Sequence, residues 1–108
     1  MKFDMNKMLQ EAQRMQEELA KAQAEAAEEI VEASAGGGMV TVKANGAGEV
    51  LAITIDPRAI DPDDPELLAD MILAAVNEAL RSAQALMESK MSGLMPGGLG
   101  DIGGLLPG

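Results

Sequence analysis

The sequence contains no cysteine, histidine, tryptophan or tyrosine, and its one aromatic residue is Phe3. Without thiols and imidazoles the chain offers no cysteine nucleophile, no histidine base and no zinc site of the ordinary kind. Without further aromatic rings it offers no platform on which nucleic-acid bases could stack. We therefore expect a protein that is not an enzyme and that uses neither a metal nor a cofactor.

Positive charge is also scarce. Eight lysine and arginine residues stand against 18 aspartate and glutamate residues, which gives a formal net charge of -10. Such a chain repels polyanions on average. The acidic residues are concentrated between positions 61 and 70 and along one stripe of the first 33 residues, however. Other faces remain free to be neutral or locally basic, so the net charge does not exclude an anionic partner.

Long apolar runs are absent as well. No stretch approaches the ~20 residues that span a bilayer, and the first residues lack the apolar core of a signal peptide. With no cysteine there is no disulfide argument either, and we expect a cytoplasmic protein without a membrane partner. A chain of 108 residues forms one small domain. We predict that domain over residues 1–92, followed by a flexible glycine-rich tail over residues 93–108.

Glycine and proline are missing from the first 35 residues, where the apolar residues recur at alternating intervals of three and four. This spacing predicts an amphipathic helix from Asp4 to Glu29. At ~1.5 Å per residue the helix spans roughly 39 Å, whereas a globule of about 100 residues has a radius of gyration near 13 Å. The helix must therefore project or pack on a second chain, and we predict a homodimer. The methionines of the helix are expected to lie in a core. The residues of the apolar seam are Met5, Met8, Ala12, Met15, Leu19, Ala22 and Ala26.

The middle of the chain shows strand patterns. A short apolar segment at 30–33 predicts a first strand, and three glycines then form a turn. Residues 40–44 and 51–55 alternate in polarity around Asn45-Gly46, which is typical of an antiparallel hairpin. Asp64 and Pro65 predict the start of a last helix whose wide apolar face covers the hairpin and which fades near Met91. The predicted fold class is α+β, with a long N-terminal helix, a short antiparallel sheet and a C-terminal helix.

The acid-rich loop at 61–66 invites a metal-binding interpretation. Its spacing does not fit a calcium loop, which needs oxygen ligands at alternating positions, a central glycine and a terminal glutamate. Helix capping and interaction with the helix dipole account for the same residues, and we favour that interpretation.

The positively charged residues of the first helix lie seven apart, at Lys7, Arg14 and Lys21, with Lys2 just outside the line. Such a line could follow a phosphate backbone. Each of the three cations also has an acidic residue three positions before it, so neutralisation within the helix is the alternative.

Five short strings stand in this order along the chain: MLQEAQRMQ at 8–16, GMVTV at 38–42, Asn45-Gly46, ITIDP at 53–57 and AAVNEA at 74–79. Taken together they resemble the YbaB/EbfC family of bacterial nucleoid-associated proteins. The resemblance implies a tweezer-like homodimer that binds double-stranded DNA with little sequence preference and associates with the nucleoid, where it organises DNA or modulates access to it. In the family the prongs are the ends of the first and last helices, which adds Lys90 to the matching cations. The alternative is a dimeric scaffold for proteins of the replication or recombination machinery. The candidate DNA-binding residues are Lys2, Lys7, Arg14, Lys21 and Lys90.

Overall fold

The computed structural model describes residues 4–94, so Lys2 and residues 95–108 of the predicted tail lie outside the described part. It contains two helices and a three-stranded antiparallel sheet in which the strands neighbour one another in chain order. The predicted α+β class is confirmed, including the short first strand and the hairpin. The elements are α1 (Met5–Glu28), β1 (Ile30–Ala35), β2 (Val40–Asn45), β3 (Val50–Ile55), a short 3-10 helix (Pro57–Ala59) and α2 (Pro65–Ser92).

The first helix, α1, is one residue shorter at each end than its sequence predicts, because Asp4 and Glu29 are its caps. The Asp4 side chain accepts a hydrogen bond from the backbone N–H of Lys7 at 3.2 Å, which caps the helix. At the other end the backbone N–H of Glu29 donates to the carbonyl oxygens of Glu25 and Ala26, both at 3.2 Å. The helix therefore spans about 36 Å.

The core lies between α2 and one face of the sheet. Cross-strand pairing sets Ala33 opposite Val42 and Val42 opposite Ile53, so alternate residues of the strands share this face. Val40 and Val42 are fully buried there, against Ala75 and Ala79 of α2. Because alanine is small, the α2 backbone can approach the sheet closely.

The third strand, β3, is left largely uncovered. Val50, Leu51 and Ile53 are 41 to 51% exposed, although they follow an apolar pattern. The prediction that the last helix covers the whole hairpin is therefore wrong for β3. A helix is about 10 Å wide and strands lie about 4.8 Å apart, so one helix covers about two strands, and α2 lies over β1 and β2.

Most of α1 projects away from the sheet. Residues 4–18 are all exposed, and the helix buries only Ala22 and Ala26. The described chain measures 76 × 33 × 16 Å, with a radius of gyration of 20.4 Å. This confirms that the helix is too long to pack within its own subunit. It also shows that, within one chain, the expected core position is wrong for Met5, Met8 and Met15.

The turn between β2 and β3 holds the C-terminal end of α1. The Asn45 side-chain oxygen accepts hydrogen bonds from the backbone N–H groups of Ala47 (3.1 Å) and Glu49 (3.0 Å), which shapes the turn. The backbone N–H of Gly46 donates to the carbonyl oxygens of Ala26 (2.9 Å) and Glu29 (3.2 Å). A Cβ atom at position 46 would overlap the Ala26 carbonyl group. Glycine is therefore required here for the close approach of two backbones.

Candidate nucleic-acid interface

The line of positive charge predicted from the sequence is exposed on α1. Lys7, Arg14 and Lys21 follow one another at intervals of seven residues, which is about 10 Å along a helix. Lys7 and Arg14 lie on either side of Gln10 and Glu11 in a shallow depression of about 270 Å³. These side chains can reach a ligand without any rearrangement of the fold.

The three cations are less neutralised than their sequence neighbours suggested. Lys7 meets Asp4 only through its backbone N–H. Arg14 pairs with Glu18, one turn further along, rather than with Glu11, and the closest N–O distance is 4.0 Å between exposed side chains. Within residues 4–94, Lys7 and Lys21 take part in no ion pair. Because an exposed pair at this distance contributes at most about 1 kcal/mol, Arg14 also remains available to another anion.

Lys90 lies in a different environment. Its Nζ atom is 2.8 Å from Oε1 of Glu29, and the hydrogen bond with that carboxylate raises the pKa of Lys90. The pair ties the end of α2 to the residue that caps the C-terminus of α1. The Glu29 end is about 12 Å along α1 from Lys21 and about 33 Å from Lys7, so the structure holds Lys90 near the C-terminal end of the charged line and far from Lys7.

The projecting half of α1 also carries negative charge and an apolar stripe. Residues 4–18 hold four acidic side chains against Lys7 and Arg14. The apolar stripe consists of Met5, Met8, Leu9, Ala12 and Met15, and its large side chains are 42 to 66% exposed. At the C-terminal end of the stripe, Met15 and Leu19 line a groove of about 490 Å³ together with residues from the end of α2.

Sequence reasoning missed this groove. The α2 side of the groove is formed by Met87, Met91 and Leu94, together with Glu88 and Ser92. The periodicity of each helix gives its apolar face, but the groove exists only because α1 crosses the end of α2. The sequence of neither helix predicts where the two helices cross.

The acid-rich loop has the capping role that its sequence suggested. Asp64 caps α2, where its side chain accepts a hydrogen bond from the backbone N–H of Leu67 at 3.3 Å. The Asp61 side chain accepts from the backbone N–H of Asp63 at 2.9 Å. In the described range, 4–94, no three acidic side chains are grouped as metal ligands, and neither helix is long and apolar enough to cross a bilayer.

Comparison with known proteins places this geometry in a family. Residues 1–99 match the YbaB/EbfC DNA-binding family. A nucleoid-associated protein of Acetivibrio thermocellus is 50% identical over 102 residues, which cover 94% of this chain and 89% of that protein. A nucleoid-associated protein of Saccharopolyspora erythraea is 48% identical over 109 residues, covering 97% and 93%.

The fold has a counterpart among solved structures. The crystal structure of the uncharacterized protein HP0035 from Helicobacter pylori superimposes with a TM-score of 0.72 at 23% sequence identity. The match covers 82% of this chain and 92% of that one, and it shows that the two share a fold. The resemblance drawn from the sequence is thus confirmed, and the chain belongs to the YbaB/EbfC DNA-binding family.

Proposed function

We propose that this protein is a nucleoid-associated, non-catalytic protein that binds double-stranded DNA through α1 and organises the DNA or modulates access to it. The observation that carries the proposal is the exposed line of Lys7, Arg14 and Lys21 on the projecting helix of a DNA-binding family member. Lys2, also a candidate, lies outside the described residues. Lys90 would contribute only after leaving Glu29.

The physical basis of this binding is contact with phosphates. Lysine and arginine that neutralise phosphates release counterions, and such contacts carry no sequence information. Glu11, Glu17 and Glu18 on the same part of α1 oppose the approach of DNA. Binding is therefore weak, dependent on salt and tolerant of sequence.

A homodimer would double the number of cations, and β3 supplies the surface for it. This strand is an edge of the sheet, and its Val50, Leu51 and Ile53 side chains are about half exposed. Exposed apolar edge strands readily pair with other chains. A two-fold axis beside β3 would bring the same patch from two copies together. We infer that a second copy of this chain covers β3.

The dimer can be tested by light scattering coupled to size exclusion. We expect a dimer for the unchanged chain and a monomer for Ile53→Lys, because the substitution places a charge in the covered patch. Ile30→Lys is the matched control, since Ile30 is 61% exposed on the opposite edge strand. A monomeric unchanged chain, or equal behaviour of the two variants, would contradict the proposed surface.

DNA binding can be tested by fluorescence anisotropy with a labelled duplex at several salt concentrations. Lys7, Arg14 and Lys21 are replaced together by alanine. We expect weaker binding and a salt dependence whose slope falls by about one for each phosphate that the variant no longer neutralises. The matched control replaces Lys43, Arg58 and Arg81, exposed cations outside α1, and changes the net charge equally.

Two results would refute DNA binding through α1. One is the absence of duplex binding by the unchanged chain at low salt. The other is an equal loss of affinity in the α1 variant and in the control variant. The scaffold alternative instead predicts that a protein is captured from nuclease-treated extract while no duplex is bound.

A further inference from the structure

The apolar stripe of α1 ends beside the last described residue of the chain. Leu94 lines the groove formed by Met15 and Leu19, and it also lies against α1 near Lys21 and Ala22. Beyond the groove the stripe continues into a second depression of about 210 Å³, which is lined by Met5, Met8, Leu9 and Ala12. The segment that follows Leu94 therefore begins at one end of an uncovered apolar surface.

The composition and length of that segment fit the surface. Residues 95–108 include five large apolar residues and only one charged residue, Asp101. Fourteen residues reach up to about 46 Å when extended. The distance from Met15 to Met5 along α1 is about 15 Å. The segment is therefore long enough to follow the whole stripe. Its apolar residues are Met95, Leu99, Ile102, Leu105 and Leu106.

We propose that residues 95–108 pack along the apolar stripe of α1 in the same chain, entering through the Met15–Leu19 groove. The apolar side chains of the segment would remove Met8 and Leu9, now 53% and 58% exposed, from water. The packed segment would cover the side of the projecting helix opposite Arg14 and leave Lys7 and Arg14 open. This inference does not depend on DNA binding.

Charge and connectivity favour the chain's own segment over other occupants. The stripe itself carries no charged residue, so it offers nothing to the phosphates of DNA, whereas residues 95–108 combine a single charge with five large apolar side chains. Attachment at Leu94 gives the segment an effective concentration on the order of millimolar, so a weak contact is sufficient. The six glycines of the segment oppose packing, because glycine loses the most conformational freedom on ordering. The contact is therefore reversible.

The test uses the full chain, which contains no cysteine and so accepts a single spin label cleanly. Gly100→Cys places a nitroxide between Leu99 and Ile102, and the methyl signals of the methionines are recorded by NMR. We expect the Met5, Met8 and Met15 signals to lose intensity, while the signal of Met71, which lies beside Gly36 at the β1–β2 turn, stays unchanged. In the matched control the labelled chain also carries serine in place of Leu99, Ile102, Leu105 and Leu106, and the three methionine signals should regain their intensity.

Three outcomes would overturn the proposal. In the first, the stripe methionines are unaffected by the nitroxide. In the second, the serine variant shows the same loss of signal as the labelled chain with its apolar residues intact. In the third, the loss appears when label and isotopes are on different chains that have been mixed, because the segment would then cover a second copy rather than its own helix.

Discussion

Replacing Gly46 by alanine tests how α1 is held to the sheet. In the folded protein the Cβ atom of alanine would lie 2.9 Å from both the carbonyl carbon and the Cβ atom of Ala26, and closer still to the carbonyl oxygen. The obstacle is largely backbone, so no side-chain rotation relieves it. The turn must move away from the helix, which breaks the 2.9 Å hydrogen bond between Gly46 and Ala26.

The expected loss of stability follows from these two effects. Breaking a backbone hydrogen bond costs about 1 kcal/mol, and forcing an extra methyl group into a packed site costs about 1 to 3 kcal/mol. The lower entropy of alanine in the unfolded chain offsets about 0.5 kcal/mol. The free energy of unfolding should therefore fall by about 1.5 to 3.5 kcal/mol, a large part of the roughly 5 to 15 kcal/mol of a typical domain.

Urea denaturation followed by far-ultraviolet circular dichroism measures this change, because the chain has no tryptophan or tyrosine for a fluorescence signal. Protein concentration is held fixed, since association would shift the midpoint. Gly48→Ala is the control. Gly48 lies in the same turn at φ 84°, and no atom lies within 4 Å of a Cβ added there. Alanine at this position should therefore lower the free energy of unfolding by about 1 kcal/mol, through its left-handed backbone conformation alone. If Gly46→Ala is no more destabilising than Gly48→Ala, the close contact with α1 is not the reason that position 46 requires glycine.

Three further predictions concern the packing and charges of the fold. Ala79→Leu, at a fully buried position of α2, should destabilise the protein by about 1 to 3 kcal/mol in the same urea assay, whereas Leu at the exposed Ala74 should change little. Lys90→Ala and Glu29→Ala should each cost at most about 1 kcal/mol, and the double variant should cost less than the two together; strict additivity would show that the 2.8 Å pair contributes nothing. Hydrogen bonds from the Arg58 side chain and, to a smaller extent, from the Arg58 backbone N–H lower the pKa of Asp56 to about 2. The stabilisation from this ion pair is therefore present above pH 4 and disappears as the pH falls towards 2. Arg58→Ala should raise the Asp56 pKa towards 3.8 in an NMR titration, and an unchanged value would contradict the assigned cause.

The local structure was readable from particular residues. Asp64 stands just before helical periodicity and caps α2, as its position predicted, whereas Asp4, predicted as the first residue of the helix, caps α1. The alternation around Asn45-Gly46 gave the hairpin, although it did not show that Gly46 also contacts the end of α1. The exposed line of Lys7, Arg14 and Lys21 followed from the period of the helix alone. These features depend on interactions within a few residues, which a sequence records directly.

Other features required the packing of distant segments. The same apolar alternation occurs in β2 and β3, but α2 is wide enough to bury only the first, so the exposure of Ile53 could not be read from the strand. Lys90 became a candidate only through the family resemblance, and only the crossing of the helices placed it 2.8 Å from Glu29. By itself, the sequence determined the two helices, the three strands, the cap of α2 and the excess length of α1, because each follows from local hydrogen bonding and periodicity. The tertiary structure decided which apolar faces stay uncovered and which charges stay unpaired, because coverage depends on where elements far apart in the chain come to lie.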